Sequence, residues 1–224
     1  MVNDISLIYA KQNKKRLITS VIDGKQVETD KTAIFMAGSP GSGKTETAQT
    51  LTMLNSNLCV IDADQFRKEF PGYLGNNSYR FQRGYALLVD AALDLVLKKG
   101  YSFILDGTFA TKKADQNIAR CLKKNYDVLI YSIYQDPFIA WNYTKQREKI
   151  EGRFVPKEHF INAFFQSRYN LIKMKELYKE NVTVNIFIKD FQNRHSHTLM
   201  VVDNGSFALP LTYTKEELEE KLND

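Results

Sequence analysis

The stretch Ala33-Ile34-Phe35-Met36-Ala37-Gly38-Ser39-Pro40-Gly41-Ser42-Gly43-Lys44-Thr45 decides how this chain is read. An unbroken apolar run at 33–37 suits a strand covered on both faces, and GSPGSGKT (38–45) satisfies G-x-x-x-x-G-K-[ST] at every required position. A chance match in a chain of this size is on the order of one in a hundred. A helical stretch, 45–54, follows at once, so the order is strand, glycine-rich loop, helix. Glycines let consecutive backbone N–H groups turn toward phosphate oxygens, and the start of the helix adds positive potential. Lys44 is set to reach β- and γ-phosphates, and Thr45 to ligate Mg²⁺. Gly38, Ser39, Pro40, Gly41, Ser42, Gly43, Lys44, Thr45 and Glu46 are therefore the expected site for ATP or GTP with Mg²⁺.

Outward from this loop, short apolar runs at 58–61, 101–105, 128–133 and 182–188 alternate with helical patterns at 79–99, 114–124, 137–149 and 156–179. Such alternation predicts an α/β phosphate-loop fold, a mainly parallel central sheet flanked by helices. Asp23-Gly24 between 17–22 and 26–29 suits a two-residue turn, so a hairpin is expected in an N-terminal extension, residues 1–30. The kinase-like domain is expected over 31–190. Residues 191–224, with a short strand at 198–202 and a charged terminal helix, read as an appendage packed on the same domain.

With 224 residues, 43% hydrophobic and 25% charged, the chain has an ordinary globular composition, and its net charge of +5 mildly favours anionic ligands. Cys59 and Cys121 form no C-x-x-C pair, and His159, His195 and His197 lack partners at metal-ligand spacing, which argues against a disulfide framework or zinc module. No signal peptide or membrane span is expected, and the default is a soluble cytoplasmic protein. A guanine-reading N/T-K-x-D motif and the acidic pair of motor ATPases are both missing, which leaves a small phosphotransferase as the simplest reading.

In open α/β sheets ligands bind beyond the carboxyl ends of the strands. There the chain carries Asp62-Ala63-Asp64 after the second run and Asp106-Gly107-Thr108 after the third. A kinase needs a carboxylate to accept or orient the proton of the attacking hydroxyl; Asp64 is the first choice and Asp62 the second. The competing reading makes either one a helix N-cap. Asp106 is expected near Mg²⁺ or the acceptor. Between two helices, QREKIEGRFVP (146–156) has the composition of a lid, with Arg147 and Arg153 available to neutralise the transferring phosphoryl group.

The order of GSPGSGKT (38–45), IDADQFRKEFPGY (61–73), RGYALLVDAALDLVLKKGY (83–101), ILDGTFAT (104–111) and QREKIEGRFVP (146–156) resembles the zeta-toxin family of phosphate-loop kinases. That resemblance implies transfer of the γ-phosphate of ATP or GTP to a sugar hydroxyl of UDP-N-acetylglucosamine or a related UDP-sugar, toxicity through cell-wall synthesis, and a small helical antitoxin as partner. It implies catalytic roles for Asp64, Lys44, Arg147 and Arg153. Asp62, Arg67, Asp90, Asp106 and Thr108 are expected around the acceptor. Asp106 and Asp90 stand where the best-known members carry Glu, and the shorter side chains enlarge the expected acceptor pocket. Two alternatives stay open: a kinase of another hydroxyl, on a dinucleotide or a polynucleotide 5′ end, and a non-catalytic nucleotide-dependent binding protein. Membrane partners are not expected, and nucleic acid is the less favoured acceptor.

Overall fold

Strand β1 (Thr32–Ala37) runs through the middle of a six-stranded sheet in the computed structural model, which describes residues 4–189, 197–202 and 213–223. The sheet order is β2 (Cys59–Asp62), β3 (Phe103–Asp106), β1, β4 (Asp127–Tyr134), β5 (Val182–Lys189) and β6 (His197–Val202). The first five strands are mutually parallel, and β6 pairs antiparallel on the β5 edge. All five apolar runs therefore become strands, and the short strand expected near 198–202 is β6. The turn-rich segments on either side of β6, His195 included, lie outside the described residues.

The apolar run of β1 is explained by burial on both faces. Ala33, Phe35 and Ala37 enter the larger core. There they meet Leu88, Leu93 and Val96 of α4 (Gln82–Lys99), Ile118 and Cys121 of α5 (Ala114–Leu122), and Leu171 and Met174 of α7 (Lys157–Tyr178). Ile34 and Met36 point the other way, against Ala48 of α2 (Lys44–Leu54) and Leu58, Ile104 and Ile133. Alternate side chains of a strand take opposite faces, so a strand with helices on both sides must be apolar throughout. Cys59 and Cys121 are free, buried core residues. No helix among the described residues is long and apolar enough to cross a membrane.

A third core joins Trp141 of α6 (Pro137–Glu151) and Phe160, Ile161 and Phe164 of α7 to Leu218 of α8 (Lys215–Lys221) and Leu222. Trp141 Nε1 donates to the Asn223 carbonyl, and α8 starts with a capping box between Thr214 and Glu217. The C-terminal residues 213–223 thus rest on α6 and α7.

The hairpin expected in residues 17–29 is not formed. Residues Ile5–Thr19 are helix α1, capped by Asp4, whose carboxylate accepts the Leu7 N–H at 3.1 Å; a 3-10 turn at Ser20–Ile22 follows. Asp23-Gly24 makes a turn with Gly24 at φ +69°, but it ends the helical segment rather than joining two strands. The reason is tertiary. Gly84 of α4 has no side chain, and a Cβ there would lie 2.6 Å from the Ser6 carbonyl oxygen, so α1 can seat directly on α4 and bury Ser6, Ala10 and Leu17. Packing on a neighbour supplies the stability that a polar, lysine-bearing segment lacks alone.

Candidate active site

The phosphate loop leaves β1 at Ala37 and delivers the chain into α2 through three glycines in positive φ: Gly38 at +138°, Gly41 at +74° and Gly43 at +91°. At Gly38 and Gly41 the space is already taken as well. A Cβ on Gly38 would stand 2.5 Å from the Ile133 carbonyl oxygen, and one on Gly41 would overlap the Ala140 carbonyl oxygen of α6. The loop is thus clamped against β4 and α6, and only glycine fits the conformation and the gap together. Lys44 is buried, and its Nζ donates to the Ser39 carbonyl at 2.6 Å, folding back over the loop. Burial pulls its ammonium down to about 8, Asp106 pulls it up, and Arg153 adds to the depression.

The carboxyl ends of β2 and β3 bring Asp62 and Asp106 side by side, since these two residues are directly paired in register. Asp62 caps α3 (Ala63–Lys68), its carboxylate accepting the Asp64 N–H at 2.8 Å, so the competing N-cap reading holds for Asp62 and not for Asp64. Burial first, and then the charge of Asp64, raise the Asp62 carboxyl to about 6. Asp106 is likewise raised by burial, against the pull of Lys44 and of Thr45, whose hydroxyl donates to Asp106 Oδ2 at 3.2 Å. Hard oxygens from Thr45 and Asp106, with the Asp62 carboxylate alongside, are donors of the kind a magnesium ion takes.

Thr108 is bound to the phosphate loop by backbone: its carbonyl accepts the Gly38 N–H at 3.3 Å. The next residue, Phe109, takes the unusual φ of +61°. It persists because its ring is buried against Phe35, with centroids 6.0 Å apart, and because Asn170 of α7 donates to the Phe109 carbonyl at 2.7 Å and to that of Thr111 at 3.0 Å.

Asp64 is gripped from two directions. Its Oδ1 accepts from Arg67, one turn along α3, and its Oδ2 from Arg153 in the connector between α6 and α7. The Arg67 guanidinium carbon lies over the Tyr85 ring, 3.9 Å from its centroid, and this cation–π contact helps hold the arginine against Asp64. The sequence reading set Arg67 against the acceptor; here its nearest charged partner is Asp64, and Tyr85 was not anticipated. Gly152 ends α6 at φ +70° and turns the connector toward the site. A Cβ on Gly75 would stand 2.7 Å from the Gly152 carbonyl, so the loop after α3 touches the connector closely. Arg147 pairs with Glu151 at 3.1 Å. Although burial disfavours its charge, Glu151, Asp64 and Glu46 together raise its pKa.

Asp90 is not brought to this group. Its half-exposed carboxylate pairs with Lys113, on a groove between α1 and α4 that it shares with Lys11, Lys14 and Arg83. Position along α4 matched the family pattern, but the helix turns this residue toward α1. His159 of α7 lies near the arginines, whose charges, after partial desolvation, hold its imidazole below the ordinary value; no local sequence signal indicates this.

A sheet of order 2-3-1-4-5 with a phosphate loop after β1, a buried loop lysine and carboxylates at the ends of β2 and β3 defines a phosphate-loop, kinase-like α/β protein. The Zeta toxin family model matches residues 18–203, and the chain belongs to that family of kinase-like enzymes. It is 25% identical over 222 residues to Toxin zeta of Enterococcus hirae, covering 92% of this chain and 74% of that protein. With Toxin zeta of Streptococcus pyogenes it shares 26% identity, over 95% of this chain and 77% of the relative. Among solved structures, a chain of the PezAT chromosomal toxin-antitoxin system of Streptococcus pneumoniae superposes at TM-score 0.68 with 23% identity, over 81% of this chain and 78% of that one. The AvrRxo1-ORF1:-ORF2 complex with ATP superposes at 0.66 with 14% identity, over 95% and 70%. Both share the fold.

Proposed function

We propose that this protein transfers the γ-phosphate of ATP or GTP, as the Mg²⁺ complex, to a hydroxyl of a nucleotide-linked acceptor, a UDP-sugar such as UDP-N-acetylglucosamine, and that it acts as a toxin held in check by an antitoxin. The observation that carries the reading is Asp64, fixed between Arg67 and Arg153 beside Lys44. Both Asp64 oxygens are occupied by guanidinium groups, so neither is aimed at a substrate hydroxyl. A γ-phosphate competes for Arg153, and drawing that arginine onto the phosphoryl oxygens frees Oδ2 to orient the attacking hydroxyl. Arg67, held over the Tyr85 ring, keeps Asp64 in place meanwhile. Lys44 and Arg147 add positive charge where negative charge spreads over the transferring group. Mg²⁺, held by Thr45 and Asp106, would neutralise charge between the phosphates.

An antitoxin partner is supported by the solved relatives, which include a toxin-antitoxin system and a two-component complex. Transfer of labelled γ-phosphate to a panel of UDP-sugars, dinucleotides and 5′-hydroxyl oligonucleotides tests the reading. Asp64→Ala is expected to lower turnover by about 10²–10⁴-fold, with nucleotide affinity within a few fold of wild type. Labelled oligonucleotide with unlabelled UDP-sugar would replace the acceptor, and full turnover by Asp64→Ala would remove Asp64 from the chemistry.

A further inference from the structure

Strand β5 ends at Lys189, on the same carboxyl edge of the sheet as the phosphate loop. Its side chain reaches across to the loop's last glycine. A methyl group placed on Gly43 would overlap Lys189 Nζ, and the same point lies 3.0 Å from Lys189 Cε and 3.5 Å from Glu46 Oε2. Among the described residues this ammonium makes no hydrogen bond and no ion pair; even the Glu46 carboxylate, close by on the first turn of α2, is not bonded to it. Among the described residues, this strongly hydrated point charge on a flexible stem rests against backbone without a counter-charge. It gains a great deal once an anion occupies the loop.

Backbone N–H groups of such a loop cradle the α- and β-phosphates, while the loop lysine reaches the β- and γ-phosphates. Gly43 belongs to that backbone cradle, so a cation over Gly43 faces the α- and β-phosphates. We propose that Lys189 is a donor-binding residue, its ammonium contacting the α/β-phosphate segment of the nucleotide in addition to the buried Lys44. The inference rests on the nucleotide reading above and deepens it, because it assigns the grip on the donor to two lysines with separate duties. Lys44, beside Asp106 and Asp64, bears on the phosphate being transferred; Lys189, over Gly43, bears on the part that remains with the nucleoside. Gly43 is then required twice: for its positive φ, and because a side chain there would displace the lysine.

The test is direct binding of MgADP and MgATP, measured by calorimetry without acceptor, for wild type, Lys189→Gln, Lys189→Met and Lys189→Arg, with Lys98→Gln on the far end of α4 as a surface control. Two neutral variants guard against one that fails to fold. MgADP and MgATP affinity should each fall about tenfold in the neutral variants, the factor that one charge-assisted hydrogen bond to phosphate is worth, and return to within about threefold in Lys189→Arg. In the transfer assay KM for the donor should rise by the same factor, with kcat and the acceptor KM unchanged. Neutral variants that bind within twofold of wild type, while Lys44→Met has lost binding, would overturn the role of Lys189 and leave the phosphate loop intact. Failure of the wild type to bind either nucleotide would remove both readings together.

Discussion

At pH 8, binding of MgADP should draw protons out of solution, because the free protein keeps Lys44 only half charged. Its ammonium is buried and bonded to one carbonyl, and burial holds its pKa at about 8. A group at that value is neutral in about a tenth of molecules at pH 7, about half at pH 8 and about nine tenths at pH 9. A polyphosphate seated in the loop sets several negative charges within contact distance, which favours the ammonium and lifts the pKa again. Uptake should therefore be about 0.1 proton per nucleotide at pH 7, about 0.5 at pH 8 and about 0.8–0.9 at pH 9. Calorimetric titration of MgADP in buffers of different ionisation enthalpy reads this number as the slope of apparent enthalpy against buffer enthalpy. The terminal phosphate of the ligand, which titrates near pH 6, and Asp62, at about 6, are already ionised at pH 8 and add little. Above that pH the dissociation constant should approach a tenfold rise per unit. In the free protein the same shift has the opposite sign for stability: the folded state binds fewer protons than the unfolded one between about 8 and 10.5, so stability rises with pH across that window. Uptake near zero from pH 7 to 9 would show that Lys44 is fully charged before any phosphate arrives, and would refute the account of burial outweighing its neighbours.

Two further substitutions separate electrostatic from steric causes. Asp62→Asn keeps a good N-cap for α3 and removes a carboxyl raised by burial from 3.8 to about 6. At 1.36 kcal/mol per pH unit the ceiling is about 3 kcal/mol, and water access to the site brings the expected stabilisation at pH 7.5 to about 1–2 kcal/mol. The cost being relieved is absent below pH 3.8 and complete above about 6. Urea titrations at pH 4.5 and 7.5 should thus differ, and equal gains at both would contradict the charge argument. Gly41→Ala should destabilise by about 2–4 kcal/mol, from positive φ plus overlap with the Ala140 carbonyl, whereas Gly24→Ala, at similar φ in open space, should cost about 1 kcal/mol. Equal costs in chemical denaturation would show that the clash with α6 relaxes freely.

Much of this protein was legible from consecutive residues. The segment 33–45 states its strand, loop and helix outright, since glycine, lysine and threonine at those offsets serve one local geometry. The apolar runs became strands because burial on both faces leaves no polar position to confuse the pattern. Asp62, Asp64 and Asp106 followed from strand ends, which need no knowledge of packing. The hairpin expected over 17–29 fails because the helix Ile5–Thr19 depends on a seat at Gly84, and a match along α4 does not say which way the helix turns the Asp90 side chain. Arg153 was chosen for its place in a lid-like connector, but its grip on Asp64, 89 residues away, is a property of the folded chain.

By itself, then, the sequence determined the phosphate cradle, the α/β alternation and the acidic strand ends, all of which rest on interactions between near neighbours. Only the tertiary structure decided what lies against them: Arg67 over the Tyr85 ring and paired with Asp64, Arg153 closing from the connector, and Lys189 laid over Gly43. The physical reason is that charges act through distance in space. A sheet with strand order 2-3-1-4-5 gathers at one edge groups that the chain holds far apart.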